Sequence, residues 1–148
     1  MKIRQAEKTD LKQLSQLFDG YRVFYRKESD LPGAEVFLAQ RLEKKDSEIY
    51  VAEADDQTLR GFVQLYPLFS STRMQKLWLL NDLFVHPKSR GQQISVKLIE
   101  RAKKLVRDSS ACAMFLETEK SNLIGNQLYS KTGFTLSEAS NYYEWNKE

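Results

Sequence analysis

Leu77–Val85 reads L-W-L-L-N-D-L-F-V, an apolar run that a strand inside a sheet would bury almost whole. Two polar residues, Asn81 and Asp82, interrupt it, and His86-Pro87-Lys88-Ser89-Arg90-Gly91 ends it abruptly. Proline supplies no ladder donor and Gly91 allows a tight turn, so the strand must stop here. From Gly91 to Arg107 the apolar residues Ile94, Leu98, Ile99, Ala102, Leu105 and Val106 fall on one side of a helix. The backbone N–H groups of Gly91, Gln92, Gln93, Ile94 and Ser95 precede any intrahelical partner. Such a cluster fits two readings. It is an ordinary strand-to-helix turn, or it is a cradle for a phosphate or diphosphate, aided by the helix dipole and by Arg90.

The rest of the chain alternates between helical and strand periodicity. Ile3–Ala6 predicts a short first strand. Thr9 predicts an N-cap for a helix to about Arg26, with Leu11, Leu14, Phe18, Tyr21 and Tyr25 at helical spacing. Pro32-Gly33 reads as a break, followed by a second helix over Ala34–Lys44. Ser47–Ala54 and Leu59–Leu68 read as a hairpin around Asp55-Asp56-Gln57. After the central strand (Gln75–Val85) and its helix come a strand at Ala111–Thr118 and a short helix at Asn122–Lys131 ended by Gly133. Closing strands are predicted at Phe134–Leu136 and Tyr142–Trp145. The order βαα-βββ-α-β-α-ββ predicts one α/β domain over residues 1–148, a mixed sheet with helices on its faces.

Composition removes several classes of function. No stretch approaches the ~20 consecutive apolar residues of a membrane-spanning helix, and Met1-Lys2-Ile3-Arg4-Gln5 lacks the apolar region of a signal peptide. The net charge of +3, from 23 basic and 20 acidic residues, gives no argument for nucleic acid. Lys97, Arg101, Lys103, Lys104 and Arg107 lie off the apolar stripe of their helix and read as a solvated face. One cysteine, Cys112, excludes an internal disulfide and fits a reducing cytoplasm. With a single histidine beside it there is no zinc cluster to expect, and no metal.

Asp82 and Tyr129 carry the remaining chemistry. An acid in an apolar strand is either a structural carboxylate with its partners or a group held in a cleft to take a proton from a substrate ammonium. Tyr129 is either a half-buried packing tyrosine or a phenol presented at a helix end, able to return a proton to a thiolate of similar basicity. His86, before Pro87, reads as an exposed turn residue. Cys112 opens a buried strand and has no second histidine to activate it.

Taken together, these motifs make the chain resemble the GNAT superfamily of acyl-CoA N-acyltransferases, most sharply between Leu77 and Phe134. The family run V-x-P-x-x-R-G-x-G-[IV]-[GA] stands here as Val85-His86-Pro87-Lys88-Ser89-Arg90-Gly91-Gln92-Gln93-Ile94-Ser95. The later N-x-x-A-x-x-L-Y-x-K-x-G-F run is matched by Asn122, Gly125 in place of alanine, Leu128, Tyr129, Lys131, Gly133 and Phe134. Gln93 and Ser95 occupy positions that are small in the family, and Asn81 stands where a glutamate base is often found. The resemblance implies a central mixed, mostly antiparallel sheet of about six to seven strands flanked by about four helices. It implies acetyl-CoA as acyl donor, its pyrophosphate held at Arg90, Gly91, Gln92, Gln93, Ile94 and Ser95. The thioester carbonyl would be polarised by main-chain N–H at Phe84 or Val85, with Asn122 and Lys131 as further cofactor contacts. Asp82, directly or through water, would deprotonate a primary amine, and Tyr129 would protonate the departing thiolate.

By the same resemblance the acceptor is a small amine, polyamine, amino acid or protein lysine or N-terminus. It would meet Tyr21, Tyr25, Glu28, Trp78 and Asn81, aromatic and acidic groups suited to a cation. A homodimer in the cytoplasm, with no nucleic-acid or membrane partner, completes the expectation. The competing one is a non-catalytic acyl-CoA-binding sensor or assembly module, motivated by Gln93, Ser95 and Asn81.

Overall fold

Glu48–Glu53 and the first half of Leu59–Ser70, buried along continuous runs, pair as an antiparallel hairpin, and the long apolar run Gln75–Val85 extends it into a sheet. The computed structural model describes residues 1–147 and divides into two units, Met1–Glu117 and Thr118–Glu148. The first holds β1 (Lys2–Gln5), α1 (Leu11–Phe24), α2 (Leu31–Lys44), β2 (Glu48–Glu53), β3 (Leu59–Ser70), β4 (Gln75–Val85), α3 (Ile94–Asp108) and β5 (Ala113–Phe115). The second holds α4 (Leu123–Lys131) and the residues that follow it. The sheet has five strands in the order β1-β2-β3-β4-β5, antiparallel except for the parallel pair β4/β5.

Each sheet face has its own layer. Leu14, Leu17 and Phe18 of α1 and Ala34 and Leu38 of α2 pack on Ile49, Val51, Leu59, Phe62 and Phe84. The opposite face is covered by α3, whose Ile94, Leu98, Ile99 and Ala102 are buried, and whose Arg101 guanidinium lies 3.9 Å over the Tyr50 ring. Where the chain enters α1, Arg4 donates to both carboxylate oxygens of Asp10 at 2.8 and 2.9 Å and also binds Glu53. Asp10 in turn accepts the Glu7 N–H at 2.8 Å.

Several boundaries differ from the sequence expectation, for identifiable reasons. α2 starts at Leu31, not Ala34, because Asp30 accepts the Gly33 N–H at 3.0 Å and Pro32 suits a first helical turn. α3 starts at Ile94, not Gly91, because Pro87–Ser89 forms a short 3-10 turn and Gly91 and Gln93 both adopt positive φ. The closing strands at Phe134–Leu136 and Tyr142–Trp145 do not form, so the described residues hold five strands instead of six or seven. A strand needs a neighbour to satisfy its backbone, and Leu136, Tyr142, Tyr143 and Trp145 lie exposed, at 77–86%.

Candidate active site

One extra residue in β4 organises the site. Gln64 of β3 pairs with Asp82, but the next residue, Leu65, pairs with Leu80, so Asn81 is left over as a β-bulge. Bulges redirect side chains. Asp82 therefore shares a face with Phe84, beneath α1 and α2, while Leu80 and Trp78 turn to the α3 face. β5 pairs with β4 only from Leu77 to Leu79. Within this unit, β4 beyond Leu79 has β3 on one side and no strand on the other.

That open edge decides which amide is offered. The His86 N–H bonds the Arg60 carbonyl of β3 at 2.8 Å, and the Phe84 carbonyl faces β3 so closely that a side chain on Gly61 would meet it at 2.8 Å. Peptide groups alternate sides along a strand. Phe84 thus turns its N–H to β3, and Val85 turns its own to the open edge. The Val85 carbonyl accepts Arg90 Nε at 3.1 Å, consistent with that orientation.

Past Val85 the chain makes its turn. His86 Nδ1 accepts the Lys88 N–H at 3.2 Å, and Ser89 is buried. The Arg90 guanidinium lies 5.6 Å from the Phe84 ring and 5.8 Å from the Phe24 ring. Gly91 has φ +77°, a conformation in which a side chain is strained, with open space around it. Gln93 has φ 63° and ψ 17° and is exposed. For a non-glycine residue this costs about 1 kcal/mol. The first intrahelical acceptor is the Gln93 carbonyl, bonded by Lys97 N–H at 3.1 Å. No side chain caps α3, so the amides of Ile94, Ser95 and Val96 have no intrahelical acceptor, the kind of helix start that suits an anion. A diphosphate fits these donors. A cavity of about 510 Å³ adjoins the turn on the α1 side, bounded by Leu17, Gly20, Phe24, Phe84, His86 and Arg90.

Asp82 is only 2% exposed. Its carboxylate accepts from Gln64 Nε2 at 2.5 Å and from Asn81 Nδ2 at 2.8 Å, with the Tyr21 hydroxyl also bonded to it. Burial pushes its pKa above the usual carboxylate value, against the lowering effect of those donors. The single Tyr21 hydroxyl proton is shared between Asp82 and the Asn81 carbonyl, 3.2 Å away, and the Tyr25 ring stands 5.2 Å from that of Tyr21. The Tyr66 phenol is pushed up to about 12, first by burial and then by the charge of Asp82. Tyr21, Tyr25, Asn81 and Asp82 are thus brought together. Glu28 is exposed in the α1–α2 connection, its carbonyl accepting Arg22 Nη1 at 3.0 Å. Trp78, expected with the acceptor, is a correction: the bulge puts it on the other face, where it is 4% exposed and its Nε1 donates to Ser109 Oγ at 2.8 Å. Gln64, a buried amide in an apolar strand, is the residue the sequence reading missed.

In the second unit Asn122 starts α4. Its Oδ1 accepts the Gly125 N–H at 3.2 Å and its Nδ2 donates to Thr118 Oγ1 at 3.0 Å, so its side chain serves as a cap. A side chain at Gly125 would meet Asn122 Nδ2 at 2.4 Å, which explains glycine there. Tyr129 is half-buried and stands edge-to-face with Phe134 at 5.7 Å. Lys131 is exposed in the last turn.

Comparison with known proteins gives the family of the chain. Residues 12–134 match the model of the acetyltransferase (GNAT) family. The uncharacterized N-acetyltransferase YhfO of Bacillus subtilis is 42% identical over 90% of this chain and 89% of its own. A crystal structure of a probable acetyltransferase superposes with a TM-score of 0.94 at 36% identity, covering 100% of this chain and 99% of that one. An aminoglycoside acetyltransferase from an uncultured soil metagenomic sample, in complex with sisomicin, shares the fold with a TM-score of 0.83 at 22% identity, over 99% and 96% of the two chains. This chain belongs to the GNAT acetyltransferase family, whose members carry out acetyl transfer from acetyl-CoA.

Proposed function

We propose that this protein moves an acetyl group from acetyl-CoA to a primary amine by direct attack in a ternary complex. The acceptor is a small amine, polyamine, amino acid or protein lysine or N-terminus. The observation that carries the reading is the continuity of one segment: an open strand edge bearing the Val85 N–H runs within a few residues into the uncapped start of α3, with Asp82 behind it.

Bound acetyl-CoA supplies an activated thioester. The amides from Gly91 to Ser95 hold its diphosphate, and Arg90 and Lys131 add positive charge. The Val85 N–H donates to the thioester carbonyl oxygen, where negative charge grows during attack. Asp82, through an ordered water because its carboxylate is closed over by Gln64, Asn81 and Tyr21, accepts the proton of the attacking amine. Tyr21, Tyr25, Glu28 and the Asn81 carbonyl offer π faces and oxygen acceptors to a cationic acceptor. Tyr129 returns a proton to the sulfur. The exposed Tyr142, Tyr143 and Trp145 support pairing of two copies, and the free Cys112 suits a cytoplasmic location.

Thiol release from acetyl-CoA with spermidine, free amino acids, lysine-containing peptides and sisomicin tests the reading. Turnover on one acceptor class is expected; binding without turnover on any would favour a non-catalytic acyl-CoA module. Tyr129→Phe should lower turnover about a hundredfold with acetyl-CoA affinity nearly unchanged. Unchanged turnover would remove the proton-donor role.

A further inference from the structure

Gln64 sits in the middle of β3 with none of its surface exposed, among the buried apolar residues Phe62, Val63 and Leu65. An amide in such a place destabilises the fold unless both its ends are bonded. Both are. Nε2 donates to Asp82 Oδ2, and Oε1 accepts from Ser47 Oγ at 2.9 Å. The direction of this chain carries meaning. A carboxylate can only accept, so the amide must turn its NH2 toward Asp82 and its oxygen toward Ser47. A protonated Asp82 could still accept this bond, but the N–H donor bonds the charged carboxylate more strongly and so favours that form. Packing alone would be met by a methionine of similar volume, so the glutamine is there for its polarity.

We propose that Gln64 is a positioning residue for acetyl transfer, keeping the Asp82 carboxylate in its proton-accepting form through an amide N–H bond, the amide being held at its other end by Ser47. The proposal rests on the assignment of Asp82 as the base. The groups that face Asp82 are Tyr21 from α1, Asn81 beside it in β4 and Tyr66 from β3, with Arg41 of α2 and Asp46 around Tyr66. Arg41 and Asp46 pair with each other at 2.9 Å. The hydrogen-bond partners of Asp82 itself are all neutral. Burial opposes its charge, and each donor removed leaves that opposition less balanced.

The test is a titration of the full chain labelled with carboxyl-¹³C aspartate, followed by NMR from about pH 3 to about pH 9. The Asp82 resonance is identified by its loss in Asp82→Asn. Gln64→Met should raise the Asp82 midpoint by about one unit, a tenfold gain in proton affinity. Ser47→Ala should raise it by less, in the same direction. A purely structural role would lower the melting temperature and leave the midpoint in place, and that result would overturn the proposal. Should Gln64→Met fail to fold, Ser47→Ala decides alone: a raised midpoint supports the proposal and an unmoved one overturns it. Turnover of Asp82→Asn in the acceptor assay separates the two claims. Undiminished turnover would overturn the base assignment and the role of Gln64 with it. Lost turnover beside an unmoved midpoint in Gln64→Met would overturn only the role of Gln64.

Discussion

The starts of α2 and α3 solve the same problem in opposite ways. Every helix begins with N–H groups that have no intrahelical partner. At α2 the Asp30 carboxylate accepts one of them, from Gly33, and at α4 Asn122 does the same for Gly125. The approach to α1 is closed too, by Asp10 on the Glu7 N–H with Arg4 locked onto Asp10. α3 has no side-chain cap, and the residue at its cap position is held left-handed. α2 and α4 carry their own side-chain acceptor and α1 is entered through a bonded 3-10 turn, whereas α3 leaves its first donors open, as the proposed diphosphate site requires.

Closing α3 artificially would break the contrast most sharply. Ser95→Asp puts a carboxylate in its first turn, where the helix dipole favours it by about 0.5 kcal/mol. The same charge repels a diphosphate, so acetyl-CoA affinity should fall by about a hundredfold, roughly 2.7 kcal/mol. Calorimetry and thermal melting would read the two opposite signs. Arg4→Met attacks a closed start instead, and should cost about 2 kcal/mol of stability at neutral pH, measured by denaturant unfolding, without touching acetyl-CoA affinity. Asp30→Ala should cost about 1 kcal/mol by the same measurement and again spare the cofactor. The smallest effect is expected for Gln93→Gly, which relieves the left-handed backbone and stabilises by about 0.5–1 kcal/mol while keeping or tightening acetyl-CoA binding. Marked weakening would identify the glutamine side chain as a ligand.

Asp10 and Asp82 extend the contrast to pH. Arg4 holds the Asp10 carboxyl below its ordinary value of 3.8. Its contribution to stability is therefore complete above 3.8 and is lost as pH falls through the depressed folded value. Asp82 is raised, chiefly by burial. Its contribution has the opposite sign, greatest below 3.8 and lost as pH rises through the elevated folded value. The acid-side fall in melting temperature should accordingly shrink in Arg4→Met, because the carboxylate depressed by that arginine no longer is.

Much of this was legible in the residues. The strand–Pro–Arg-Gly–helix succession gave the turn, and apolar spacing gave α1 and α3, because both are local properties. The bulge at Asn81 was not legible: Asn81 and Asp82 are both polar, so neither position marks itself as the extra one. Strict alternation along β4 would put Trp78 on the Asp82 face, and the shift of one residue at Asn81 reverses the face of everything before it. Pro32-Gly33 reads as a break in the sequence, yet a proline just after a capping aspartate starts a helix as readily as it ends one. The residues after Phe134 have strand-forming composition, but a strand also needs a partner, which local sequence does not specify. Gln93 marked itself as oversized for its position; its left-handed backbone explains why glycine is the residue the family pattern has there.

The most direct measurement compares acetyl-CoA with S-acetylpantetheine, which carries the same thioester without the diphosphate, by titration calorimetry against the intact chain. Saturable acetyl-CoA binding between about 1 μM and 1 mM is expected, with S-acetylpantetheine weaker by about a hundredfold or more. Equal affinities, or no saturation by acetyl-CoA at about millimolar concentration, would contradict the assignment of the α3 start as the diphosphate site.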